Sequence, residues 1–146
     1  MGADVPSLNA TTCEIKKGFF STFLGCKGQP VGLCIYCGRA FCAAHGEVQS
    51  GGQEICSRKN CLAKRDDLVI HLHYVAVVQG FNESGACGQP GCHERPDGQC
   101  GRCRAYYCGR HLDTREETVS QGRGRISQMA SMCPHCWQRR PIWTRM

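Results

Sequence analysis

A small α+β protein made of two tandem, metal-stapled modules is the architecture this sequence points to, and three observations carry that expectation. The first is a repeat. Gly25, Cys26, Pro30, Gly32, Cys34, Cys37, Cys42 and His45 recur as Gly91, Cys92, Pro96, Gly98, Cys100, Cys103, Cys108 and His111, all at one fixed offset of 66 residues. The second is composition: 146 residues hold 14 cysteines and 18 glycines with only 8% aromatic residues. Each half is therefore too small to be held by apolar burial alone and needs a staple. The third is ligand arithmetic. With Cys13, Cys56 and Cys61 in the first half and Cys87, Cys133 and Cys136 in the second, the two copies account for every cysteine. Each half then offers eight donors, which fill two tetrahedral sites with none left over.

Zinc is the ordinary occupant of such sites, and disulfides are the competing staple. The opening residues carry no basic and apolar signal pattern, the cysteines come in C-x2-C and C-x4-C pairs, and each copy places a histidine at a ligand position. These features favour four Zn2+ ions per chain and a reducing compartment, the cytoplasm or nucleus. No apolar run approaches the ~20 residues that span a bilayer, because His71 and His73 interrupt the longest one, Leu68 to Val78. No membrane partner is expected. The formal charge of +6 is offset once 14 thiolates and four dications are counted, so basic composition alone is a weak argument for a polyanionic partner.

In chain order the donors pair as Cys13 with Cys26, Cys34 with Cys37, Cys42 with His45 and Cys56 with Cys61, then Cys87 with Cys92, Cys100 with Cys103, Cys108 with His111 and Cys133 with Cys136. Spacing alone allows the pairs to fill metals consecutively or interleaved. The core C-x2-C-x4-C-x2-H, with an aromatic residue (Phe41, Tyr107) before its third cysteine, resembles the cross-brace treble-clef zinc fingers: AN1, B-box, FYVE, PHD and, more distantly, RING. That resemblance covers roughly residues 13 to 63 and 87 to 140. It implies two cross-brace modules with short hairpins and short helices, and it implies the ligand sets. Those sets are Cys13, Cys26, Cys42 and His45; Cys34, Cys37, Cys56 and Cys61; Cys87, Cys92, Cys108 and His111; Cys100, Cys103, Cys133 and Cys136. Twelve residues separate Cys13 from Cys26 where four separate Cys87 from Cys92, which leaves a free thiol as the other role for Cys13.

The modules are expected at residues 1–63 and 87–146, joined over 64–86. Within that connection LAKRDDLV suits a helix, and IHLHYVAVV, β-branched and alternating, suits a strand with His71 and His73 on its solvent face. Gly51-Gly52, Gly80 to Gly91 and Gln121 to Gly124 read as turns, and Thr114 to Ser131 reads as a loop. His93 and His135, beside the ligands, read as supporting or surface groups.

Function follows from what the donors leave unused. Every donor is cysteine or histidine, which describes closed structural sites, whereas a catalytic zinc keeps a position for water. No catalytic residue is assigned. A non-enzymatic interaction module or adaptor with a protein partner is the leading expectation. Its candidate contact residues are Phe19, Phe20, Phe23 and Leu24, whose alternative is to pack over the zinc knuckle, and Trp137, Arg139, Arg140 and Trp143 in the basic tail. A second expectation is a RING-like ligase that recruits a ubiquitin-type (E2) conjugating enzyme, from Ile35 in the first knuckle and the RING-like ending Cys133-Pro134-His135-Cys136. A third is nucleic-acid binding through the arginines, with Tyr106, Tyr107 and Trp137 as stacking platforms.

Overall fold

The computed structural model describes residues 10–16 and 25–144, so the Phe19, Phe20, Phe23 and Leu24 cluster lies outside the described residues. Among the described residues, eight strands form four separate two-stranded antiparallel sheets and two helices complete the structure. The chain divides into two compact units, the first ending at Asp66 and the second running from Asp67 to Thr144.

The first unit is organised by a hairpin of β1 (Gly32–Leu33) and β2 (Ala40–Phe41) that closes over the Cys34 to Cys37 turn. The reversal requires a left-handed residue directly after Cys37, and Gly38 supplies it at φ 67°. The Gly38 N–H donates to the Cys34 carbonyl at 2.7 Å and the Cys34 N–H to the Arg39 carbonyl at 2.9 Å. A second hairpin, β3 (Gly46–Val48) with β4 (Glu54–Cys56), follows. Two carboxylates stitch the pieces together: Glu54 accepts from the Leu33 N–H at 2.6 Å and Glu14 from the Ala40 N–H at 2.8 Å. Phe41 and Ile55 are completely buried, with Ile15 and the cysteines around them. Gly46 lies against this core because a Cβ there would fall 2.3 Å from the Phe41 ring.

The second unit repeats the first hairpin at the same offset, as β5 (Gly98–Gln99) with β6 (Tyr106–Tyr107). Its counterpart of the second hairpin is much longer: β7 (Asp113–Gln121) and β8 (Gly124–Met132) pair along all nine residues of each strand. The expected loop from Thr114 to Ser131 is thus a regular ribbon. Its two-residue turn, Gly122-Arg123, places glycine at φ 59° in the first position, which lets the turn follow the right-handed twist of the strands. The base of the ribbon ends in the core, where Met132 is buried with Val78, Ala105 and Tyr107.

Helix α1 (Lys59–Glu83) and helix α2 (Pro134–Thr144) each begin two residues before the last cysteine of their unit's set. Proline suits the first position of α2, where its missing N–H has no helical partner in any case. The strand expected over residues 70–78 is instead part of α1, which is continuous for 25 residues. Period-two alternation and β-branching lost to a stronger pattern. Asp67, His71, Tyr74 and Val78 recur at helical spacing, and they turn inward together, buried or half-buried. No proline interrupts the segment. As a consequence His71 and His73, two residues apart, face different ways. His73 is exposed, while the His71 ring stacks on His135 with centroids 5.3 Å apart and Nδ1 to Nε2 at 3.1 Å. His135 in turn stacks on Tyr74 at 3.8 Å, so it is a packing residue of the second unit.

Candidate metal centres

Four clusters gather all fourteen cysteines and two of the histidines. They are Cys13, Cys26, Cys42 and His45; Cys34, Cys37, Cys56 and Cys61; Cys87, Cys92, Cys108 and His111; and Cys100, Cys103, Cys133 and Cys136, with the donor atoms of each set within 4.8 Å of one another. In both units the first pair joins the third and the second joins the fourth, so each unit is tied across itself twice. Cys13, despite its long separation from Cys26, belongs to a set.

The secondary structure explains the assembly. Cys34 and Cys37, like Cys100 and Cys103, sit on the turn of the short hairpin. The Cys42 to His45 and Cys108 to His111 turns follow the second strand of that hairpin, each closed by an N–H bond from histidine to cysteine carbonyl, at 2.8 and 2.9 Å. Cys56 ends β4 and Cys61 lies in the first turn of α1; Cys133 follows β8 and Cys136 lies in the first turn of α2. Each second cluster is thus built between a hairpin turn and a helix start.

The distances suit a tetrahedral ion. Zinc with thiolates at about 2.3 Å and imidazole at about 2.05 Å sets S to S edges of about 3.8 Å and S to N edges of about 3.6 Å. Cys26 to Cys42 is 3.7 Å, Cys37 to Cys56 3.8 Å, and Cys92 to Cys108 and Cys103 to Cys133 are 3.9 Å. His45 Nδ1 lies 3.5 Å from Cys13 and 3.4 Å from Cys42, and His111 Nδ1 3.6 Å from Cys87 and 3.3 Å from Cys108. All fourteen cysteines are free thiols rather than disulfides. The clusters are therefore compatible with zinc, and no described cluster has a fifth donor or an acidic ligand.

Electrostatics argue for a cation in the same places. In the second cluster burial alone raises Cys34, but the N–H groups of Cys56, Tyr36 and Cys37 outweigh it and hold the thiol down at about 7. Cys56 in the same set is pushed up to about 11 by burial. Four thiols packed this closely cannot all ionise together unless a dication neutralises them. Backbone donors already face the sulfurs, among them Gly28 N–H to Cys26 at 3.4 Å, Cys108 N–H to Cys87 at 3.3 Å and Cys133 N–H to Cys100 at 3.4 Å. Such bonds favour thiolate and orient it.

The residues of the basic tail are engaged within the second unit. Arg139 forks onto both oxygens of Asp67 at 3.0 Å, Trp143 donates its indole N–H to Asp67 at 2.6 Å, and Arg140 pairs with buried Glu117 at 3.1 Å. Trp137 donates to the Asp113 carbonyl at 3.0 Å and lies beneath the Arg115 guanidinium at 5.0 Å. Tyr107 is completely buried, its hydroxyl 2.9 Å from that of Tyr74, which removes it as a stacking platform; Tyr106 is exposed. Ile35 stands out of the first knuckle, 53% exposed, and Val31 is exposed as well.

Sequence reasoning missed the outer face of α1, where Val69, Ile70, Leu72 and Val77 are all exposed. The signal was present: residues 68 to 82 contain no charged side chain, and a helix apolar all round buries one side and leaves the other for something else. No described helix is long and apolar enough to cross a membrane. No family model matches the chain, and neither a curated protein nor a solved structure matches it significantly.

Proposed function

We propose that this chain is a tandem cross-brace treble-clef zinc-finger protein of the reducing compartments, binding four zinc ions and acting as a non-enzymatic protein-interaction module. One observation carries the reading: sixteen cysteine and histidine donors are consumed in four closed sets, leaving no described thiol for nucleophilic chemistry and no described set with a gap for substrate. The metals are architecture. On the order of 10 kcal/mol of binding energy per structural zinc holds hairpins too short to fold by themselves, and the rigid units then present what the metals do not use. Those surfaces are the Ile35 knuckle of the first unit and the ribbon of β7 and β8 in the second.

The ligase reading differs from the adaptor reading in a single measurable step. A thioester-discharge assay with zinc-loaded protein and ubiquitin-type conjugating enzymes is expected to show no acceleration above the enzyme alone. Acceleration that is lost with Ile35→Ala would replace the adaptor with a ligase.

A further inference from the structure

The ribbon of β7 and β8 has two long edges, and the second unit treats them differently. Gln121 and Gly124 flank the two-residue turn as a narrowly bonded pair, so bonded and non-bonded pairs alternate from there. Residues 125, 127, 129 and 131 of β8 and 114, 116, 118 and 120 of β7 therefore aim both backbone groups outward. Two bonds agree with that phase: the Gly101 N–H donates to the Ser131 carbonyl at 2.9 Å, and Arg140 donates to the Thr118 carbonyl at 3.3 Å. Side chains of α2 reach over the β7 edge, Arg140 at Thr118 and Trp137 at the Asp113 carbonyl. The outer edge of β6 is closed by Asn82, whose amide bonds both the N–H and the carbonyl of Tyr106, at 2.8 and 2.9 Å. On β8 only Ser131 at the base is met. Among the described residues nothing bonds the outward N–H and C=O groups of Arg125, Ser127 and Met129.

We infer that the open edge of β8 takes an extended, acidic segment of a partner protein as a third strand. The edge defines the occupant's shape, because evenly phased donors and acceptors are matched by another strand. Beside the edge lies a concavity of about 560 Å3 lined by Gln99, Arg102, Val119, Gln128, Ala130 and Met132, which receives alternate side chains of that strand.

Charge defines its chemistry. Arg102 stands near the base of the open stretch and Arg125 near its tip, both exposed and neither with an acidic partner among the described residues. Other arginines of the unit, Arg110, Arg115, Arg139 and Arg140, each hold a carboxylate. A second copy of this chain is the worse occupant. Pairing β8 with itself antiparallel about Ser127 sets Arg125 beside Met129, at the end of the strand where Arg102 stands. Pairing it in parallel sets identical arginines abreast, and either arrangement crowds unpaired cations. Carboxylates on an incoming strand neutralise them instead. This inference rests on the interaction-module reading and names the kind of partner.

The test titrates zinc-loaded full chain with fluorescent seven-residue peptides in which threonine and valine alternate with glutamate, and with matched peptides carrying lysine in place of glutamate. Saturable binding of the glutamate set below about 1 mM and none of the lysine set is expected, with amide exchange slowed at Arg125, Ser127 and Met129. Only every second peptide residue bonds to β8, so N-methylation in one alternate frame is expected to abolish binding and in the other to leave it. Ser127→Pro removes an outward N–H that β7 does not use; ribbon and zinc content should survive, while affinity falls about ten-fold. Should that variant lose the ribbon, the N-methyl frames still decide. Arg102→Glu is expected to turn the preference toward the lysine set. No binding by any peptide, equal binding of both sets, or indifference to both frames overturns the inference. So does a mass above 16.1 kDa that forms without peptide and is lost with Ser127→Pro, which gives the edge to a second copy. Any of these leaves the adaptor reading to the Ile35 knuckle, whereas accelerated thioester discharge overturns the adaptor and not the edge.

Discussion

The two units carry the same donor pattern at one offset and differ in what is inserted between its parts. The short hairpins superpose in sequence: β1 and β2 become β5 and β6 when 66 is added to each residue number, down to the N–H bonds that close their turns. Between the histidine and the last cysteine pair the first unit places strands of three residues and the second strands of nine. The first unit surrounds a phenylalanine, Phe41, and the second a tyrosine, Tyr107, at the same place. The donor sets therefore fix a frame of constant dimensions, and the connection between pairs is free to grow because its ends are held regardless of its length. The second unit uses that freedom to lay a ribbon against α2 through the Arg140 to Glu117 pair and the Trp137 bond to Asp113, whereas the short hairpin of the first unit meets α1 through the Arg65 to Glu47 pair.

The largest test of this comparison removes one donor from each unit. Wild-type protein is expected to contain four zinc per chain and to unfold on chelation. Cys34→Ser and Cys100→Ser should each lower the zinc count to three or fewer, and each should unfold its own unit, because a site worth on the order of 10 kcal/mol exceeds what a unit of this size holds in reserve. Metal analysis with amide exchange read unit by unit checks it. Two zinc in the wild type would dissolve the donor grouping, and loss of protection in both units from either variant would end their independence.

Next in size is the ion pair that only the second unit possesses. The Asp67 side chain is 7% exposed and that of Arg139 14%, and the pair joins α1 to α2. Asp67→Asn strands a buried guanidinium and is expected to cost about 3 kcal/mol, read as a lower denaturation midpoint for the second unit alone. Burial raises the Asp67 carboxyl, but Arg139 and Trp143 outweigh it and hold it below its ordinary value. A depressed folded pKa means the stabilisation is complete above the unfolded value near ~3.9 and is lost only as pH falls through the folded one. The deficit of Asp67→Asn is therefore expected to be flat from pH 6 to 8. A deficit that varies in that window would assign the effect to another group.

What was legible in the sequence is what covalent chemistry constrains. Donor intervals survive translation into structure because a metal edge has one length, and the repeat announced itself through them. The linker was misread because Ile70, Val75, Val77 and Val78 favour a strand locally, while inward positions at 67, 71, 74 and 78 decide for a helix only once there is a core for them to face. The ribbon was misread as a loop because Asp113 to Gln121 is nearly all polar. Its register is set by a two-residue glycine turn and by pairs such as Val119 with Ile126, which a hydropathy pattern does not register. The burial of Asp67 and Glu117 was not legible, because their partners lie 72 and 23 residues away, a distance over which sequence carries no signal without the fold.

The smallest effect makes the sharpest comparison, because it concerns one backbone position in two copies. After the second knuckle cysteine the first unit has Gly38 at φ 67° and the second has Arg104 at φ 64°, the one described residue other than glycine in the left-handed region. The turn geometry, closed by the N–H bond to the Cys34 or Cys100 carbonyl, requires that conformation whichever residue is there. A side chain in it costs about 1 to 2 kcal/mol, and glycine recovers part of this while giving up some order in the unfolded chain. Arg104→Gly should therefore stabilise the second unit by about 0.5 to 1 kcal/mol, and Gly38→Ala should destabilise the first by about 1 kcal/mol, both measured by denaturant unfolding with zinc in excess. The side-chain bond from Gln99 to the carbonyl of residue 104, at 2.7 Å, survives the change because it involves backbone. If Arg104→Gly instead destabilises, the arginine side chain contributes something the equivalent glycine does not, and the two knuckles are equal in shape but not in what they hold.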